Sequence, residues 1–198
     1  EKMSVQQSLS NIKRADVVLF VLDATEDVTA QDRAIAGEIM EYHKNLIVVA
    51  NKWDLLQDKD KSSDKRFIDY VHKSFPFLTW APIVFISAKT GFKVSRLMKV
   101  IFEIYDKSQQ RIEQPELDKL LKYIVKKQPP RKSKGLKPPF IYQLRQKRVG
   151  PQVFEVVADQ PENIHFSYQR FILNKLREKF DFWGVGLKLV TKLYKEEK

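Results

Sequence analysis

The chain has 198 residues, 43% of them hydrophobic, and a formal charge of +11. The absence of Cys excludes disulfides and thiolate metal sites and suits a reducing compartment, while His43, His72 and His165 lack metal-ligand spacing. No apolar stretch approaches the length of a membrane span and the start, Glu1-Lys2-Met3-Ser4, does not read as a signal peptide, so a cytoplasmic protein with one large or two small cores is expected.

In chain order, the pattern predicts a helix over about Ser4–Arg14, a strand over Asp16–Asp23 and a helix over Ala30–His43. The run Leu46-Ile47-Val48-Val49-Ala50 is short, continuous and β-rich, as in a strand covered on both faces of a parallel sheet, and predicts a strand over Asn45–Asn51. Asp58–Asp64 is polar and reads as a solvated loop; Lys65–Ser74 reads as a helix, Ile83–Ser87 as a second buried strand and Lys93–Ser108 as a helix.

Each buried strand ends on a polar motif, Asn51-Lys52-Trp53-Asp54 after the first and Ser87-Ala88-Lys89 after the second. Ligands of open α/β sheets sit at the carboxyl ends of the strands, where both motifs fall. Together they read as a pocket for guanine, whose N1–H and exocyclic amine are two adjacent donors that one carboxylate, Asp54, can accept at once. Adenine lacks that donor pair. Asn51 can touch the base and tie loops together, and the stems of Lys52 and Lys89 can cover its two faces. The Ala88 N–H is expected to donate to guanine O6, the Ser87 hydroxyl to steady Asp54, and Trp53 to point into packing.

The second part starts near Gln109 and carries most of the charge. Glu113–Lys198 holds 19 basic and 10 acidic residues, against 17 and 15 before it, an asymmetry that points to a polyanionic partner and a salt-dependent contact. A helix over Glu116–Lys127 places Leu117, Leu120, Leu121, Ile124 and Val125 on one face, and Gln128-Pro129-Pro130 stops it. Two alternating strands follow, Phe140–Lys147 and Gln152–Ala158, joined through Arg148-Val149-Gly150-Pro151. A helix over Asn163–Phe180, with Ile164, Tyr168, Phe171, Ile172, Leu176 and Phe180 as its apolar stripe, and a strand over Gly186–Leu193 complete an α-β-β-α-β order.

Asn51–Asp54 and Ser87–Lys89 resemble the fourth and fifth guanine-nucleotide motifs of translation-factor-type P-loop GTPases. Asn11–Thr25 and Val28–Ala36 resemble the elements after their second switch. With Asn163–Phe171 and Asn174–Glu178, the chain resembles the Der (EngA) family of bacterial GTPases, which have two consecutive G domains and a KH-like C-terminal domain. The resemblance implies an α/β fold: half of a GTPase parallel sheet, three strands with flanking helices, over residues 1–112, then a small α+β KH-like domain over 113–198. It implies GTP or GDP as ligand, with Mg²⁺ in the intact protein. It further implies GTPase activity in the parent, repeated G domains preceding this part, and a role in assembly of the large ribosomal subunit with rRNA as a partner.

No G-x-x-x-x-G-K-[ST] occurs, and no Asp-x-x-Gly precedes Ser4. The chain is therefore expected to be a fragment that does not hydrolyse GTP by itself, because it holds neither Mg²⁺ ligands nor a residue that positions water. The strand at Val17–Asp23 would ordinarily pair with the phosphate-loop strand, so an exposed apolar edge and association between chains are expected.

KH modules clamp a nucleotide backbone with G-x-x-G, which is absent, and Gly184-Val185-Gly186 has the wrong spacing. The RNA-contact candidates are instead Arg131, Lys132, Lys134 and Lys137 in the Pro-flanked connector and Arg145, Lys147 and Arg148 in the hairpin, with Arg170 and Arg177 on the helix face opposite the apolar stripe. Tyr142, Phe154 and Phe166 read as core. Two other readings stand beside this one: a stand-alone RNA- or protein-binding module on a nucleotide-free half G-domain scaffold, and an Era-like KH GTPase.

Overall fold

Strand β2 (Asn45–Asn51) is the centre of the first sheet. It pairs in parallel with β1 (Val17–Asp23) on one side and β3 (Ile83–Phe85) on the other, with Asp23 opposite Asn51 at the carboxyl ends. Neighbours on both edges and cover on both faces explain its unbroken apolar run, every residue from Asn45 to Ala50 being buried. β1 is an outer strand and alternates, with Phe20 and Leu22 buried and Leu19 and Val21 exposed at 39% and 54%. In the computed structural model, residues 10–56, 62–130 and 137–195 are described, so of the expected Ser4–Arg14 helix only residues 10–14 are seen, and they are helical.

Helix α1 (Ala30–Glu41) starts on a reciprocal cap: the Thr29 hydroxyl accepts the Asp32 N–H at 3.1 Å, and the Asp32 carboxylate accepts the Thr29 N–H at 2.8 Å. It stops two residues before the expected end because His43 adopts a left-handed backbone, φ 49°. Phe20, Leu22, Leu46 and Val48 of the sheet pack with Ala36 and Ile39 of α1 and with Val71 and Phe75 at the end of α2 (Ser63–Ser74). Burying each large side chain of this set contributes about 1.5–3 kcal/mol. Helix α3 (Val94–Ser108) completes the first part.

The chain divides into two compact units, one reaching Asp106 and including Trp183–Gly186, the other made of 107–182 and 187–198. In the first unit the short return of 183–186 lies on the entry end of β2. The Leu46 N–H donates to Gly184 O at 2.8 Å, the Gly186 N–H to Asn45 Oδ1 at 3.0 Å, and the Gly184 N–H to Trp80 O at 3.1 Å. A Cβ on Gly186 would stand 2.0 Å from the His43 carbonyl oxygen. The Gly-Val-Gly run thus serves close backbone approach, a role its spacing alone does not disclose.

In the second unit, α4 (Gln114–Lys127) buries Leu117, Leu120, Leu121 and Ile124, while Val125 is only half-buried. β4 (Ile141–Arg148) pairs antiparallel with β5 (Gln152–Ala158), with register irregularities between Ile141 and Gln143 and between Gln146 and Arg148; β5 pairs in parallel with β6 (Leu187–Leu193). Helix α5 (Phe166–Phe180) supplies the crossover between β5 and β6 and buries Tyr168, Ile172 and Leu176. Phe171 and Phe180 are half-buried. The expected alternation of β5 is not found: all seven residues are buried, since β5 is the central strand. Tyr168 donates its hydroxyl to Gln128 O at 2.8 Å, and burial raises its pKa to about 12.

Candidate functional site

Three loops meet at Asn51, the last residue of β2. Its carbonyl accepts the Ala24 N–H at 2.9 Å, and its side-chain oxygen accepts the Ala88 N–H at 3.0 Å. The Ile86 N–H donates to Ala50 O at 2.9 Å and the Trp53 N–H to Ile86 O at 3.0 Å, so the exits of β2 and β3 are laced together. The two sequence motifs are therefore neighbours in space. The Ala88 N–H, expected to face a ligand, is donated to Asn51 here.

The Ser87–Phe92 loop closes on itself. The Ser87 hydroxyl accepts the Thr90 N–H at 3.1 Å, the Gly91 N–H donates to Ser87 O at 2.9 Å, and the Ser87 N–H donates to Phe92 O at 3.1 Å. Gly91 takes φ 80°, which a side chain would strain. Ser87 is fully buried, whereas Ala88 and Lys89 are exposed. The hydroxyl expected to steady Asp54 thus closes its own loop.

Asp54 is exposed in the 3₁₀ turn Trp53–Leu55. The turn is held from below by Trp53, which is 4% exposed with its ring 4.2 Å from Phe85 and 5.5 Å, edge-on, from Phe67. Lys52 adopts φ 59°, and its ammonium pairs with Asp23 Oδ2 at 2.5 Å. Asp23 also accepts the Thr25 N–H at 2.9 Å and the Thr25 hydroxyl at 2.7 Å. The bond from Lys52, then those from Thr25, lower the Asp23 carboxyl to about 2, and Asp23 in turn raises Lys52. Sequence reading passed over Asp23 and Thr25 as site residues; the position of Asp23 at the end of an apolar strand, as for Asn51, was the available signal.

The basic surfaces differ from expectation. Arg131, Lys132 and Lys134 lie outside the described residues; Lys137 and Arg148 are exposed. Arg145 and Lys147 are not free cations: both pair with Glu155, whose side chain is 3% exposed, through Arg145 Nε at 2.7 Å and Lys147 Nζ at 3.3 Å. Burial pushes the Glu155 carboxyl up, but the bonds from Arg145 and Lys147 outweigh it and leave its pKa lowered. Arg177 turns inward and donates to Phe182 O at 3.2 Å, and burial disfavours its charge. Arg170 is exposed and stands 5.2 Å over the Phe166 ring. Of the aromatics expected in the core, Phe154 is fully buried, whereas Tyr142 and Phe166 are exposed at 45% and 58%. Among the described residues, no helix is long and apolar enough to cross a membrane.

Comparison with known proteins follows the same division. Residues 5–107 match the family of the elongation factor Tu GTP-binding domain, and residues 111–192 match the KH-domain-like C-terminal family of EngA bacterial GTPase enzymes. The chain is 41% identical over 192 residues to GTPase Der of Lactobacillus delbrueckii subsp. bulgaricus, covering 97% of this chain and 44% of that protein. It is 43% identical over 190 residues to GTPase Der of Chloroflexus aggregans, covering 96% and 42%. The chain thus spans under half the length of these relatives. A crystal structure of Era with MgGDPNP and a 16S ribosomal RNA segment is similar at 22% identity and a TM-score of 0.44, covering 97% of this chain and 70% of that one, too loosely to inform function.

Proposed function

Given that the chain belongs to the Der (EngA) family of GTP-binding proteins, we propose that its Asn51–Asp54 and Ser87–Lys89 loops are the base end of a guanine-nucleotide site. The supporting observation is the 3.0 Å bond from the Ala88 N–H to Asn51 Oδ1, which holds the two loops in one place. Asp54 accepts the paired donors of guanine, and the stems of Lys52 and Lys89 flank the ring. Guanine O6 shares the Ala88 N–H with Asn51 as a three-centre bond. Phosphates and Mg²⁺ belong to residues outside the motifs of this chain.

In the intact protein, the reading is a GTP-controlled factor in assembly of the large ribosomal subunit, acting in the cytoplasm, with residues 113–198 contacting rRNA. The charge surplus of that part supports the RNA contact. The test is Asp54→Asn in the full-length protein. An amide offers a donor where the carboxylate accepts, so guanine affinity should fall by about 10²-fold or more while xanthine nucleotides gain. Unchanged GTP selectivity in competition against XTP overturns the base assignment.

A further inference from the structure

Phe140, Tyr142 and Tyr194 form an aromatic cluster on the second unit, exposed at 61%, 45% and 41%. The Tyr142 and Tyr194 rings are stacked, centroids 4.0 Å apart at 14°, and Phe140 stands edge-on to Tyr142 at 4.8 Å. Phe140 and Tyr142 lie at the start of β4 and Tyr194 lies just past β6, so the three rings from the two outer strands meet beside the end of β5. Two of the three residues are fixed through their backbone N–H groups. The Tyr194 N–H donates to Ala158 O at 2.8 Å, and the Phe140 N–H donates to Asp159 Oδ1 at 2.7 Å. An apolar groove beside them is lined by Leu121, Val125 and Pro139, and its charged residues among those described are Lys122, Lys126 and Asp118.

Exposed rings fixed in a stack do not serve the core. Hydration of so much apolar surface is unfavourable, and a contiguous exposed patch marks a contact site. Charge favours a polyanionic partner: among the described residues the groove carries Lys122 and Lys126 against Asp118, and Lys137 adjoins it in sequence, whereas Lys195 is followed by Glu196 and Glu197 and adds no net charge. Of the other expected cations among the described residues, Arg145, Lys147 and Arg177 are engaged within the unit, while Arg148 and Arg170 are exposed.

We infer that Phe140, Tyr142 and Tyr194 are a stacking platform for unpaired bases of an RNA strand, with Lys122 and Lys126 taking its phosphates. The inference rests on the RNA reading above and names the surface that carries it. Stacking on such rings is tolerant of sequence, because every base presents a π-face.

The experiment measures binding of the full chain to a short single-stranded RNA carrying 2-aminopurine and to a matched duplex, against salt. The wild type should quench the 2-aminopurine. Tyr142→Ala with Tyr194→Ala should weaken single-strand binding about tenfold and remove the quenching, with duplex binding unchanged. Tyr142→Phe with Tyr194→Phe should keep both, and Lys122→Gln with Lys126→Gln should flatten the salt dependence. Circular dichroism excludes loss of folding in each variant. Wild-type RNA binding that the alanine pair leaves intact overturns the platform and spares the RNA reading. No RNA binding by the wild type overturns both. Binding of a proline-rich peptide in place of RNA, lost in the alanine pair, overturns the platform in favour of a protein partner.

Discussion

The central strands of the two sheets are both enclosed, yet they handle polarity in opposite ways. β2 keeps its interior wholly apolar and confines polar side chains to its two ends. Asn45 bonds Asp16 O and the Gly186 N–H at the entry, and Asn51 bonds the Ala88 N–H at the exit. β5 places Glu155 in mid-strand, paired with two cations from the neighbouring strand. A strand with polar ends can organise loops while its middle stays indifferent to pH. A strand with a buried carboxylate depends on its partners and on protonation.

The sharpest way to break this contrast is at the entry of β2. Gly186→Ala drives a Cβ into the His43 carbonyl, which cannot move aside as a side-chain tip would, so the first unit should lose about 3 kcal/mol or more in urea unfolding. On β5, Arg145→Ala leaves Glu155 with Lys147 alone and should cost about 2 kcal/mol, tempered because Arg145 is 40% exposed. Its pH signature distinguishes the two strands. The Glu155 pKa lies below its ordinary 4.5, so its stabilisation is complete above pH 4.5 and is lost as pH falls through the lower folded value. Glu155→Gln should flatten stability across that acid window, and an unchanged acid limb would refute the pairing.

Smaller effects sharpen the comparison at the exit of β2. Asn51→Ala removes the acceptor of the Ala88 N–H and should cost about 1 kcal/mol, read as faster hydrogen exchange at Ala88. Lys52→Ala should move the Asp23 carboxyl from about 2 up toward its ordinary 3.8, visible by NMR titration, with little change in global stability because Lys52 is exposed.

Much of this was legible in advance. Asn45–Asn51 has its expected bounds, since an apolar run cut off by polar residues marks a strand; Gln152–Ala158 also has its expected bounds, although the alternation that pointed to it is not found. The junction of Asn51 with Ala88 was also foreseeable, because successive parallel strands bring their carboxyl ends to one edge. Pairing across strands was not. Arg145 and Lys147 looked like free charge because meeting Glu155 depends on a register broken by two irregularities. Arg177 falls on the polar face by periodicity, yet the turn of chain at Phe182 curls back to cover it. The close approach of Gly186 to His43 spans 143 positions, beyond any local pattern.

The engaged amide at Ala88 makes the loop pair its own instrument. The Ala88 N–H, donated to Asn51 Oδ1 with nitrogen and oxygen 3.0 Å apart, has a definite proton chemical shift, and a planar ligand that competes for it must change that shift. One backbone resonance would then report occupancy directly, without turnover, for nucleotides and for small fragments alike.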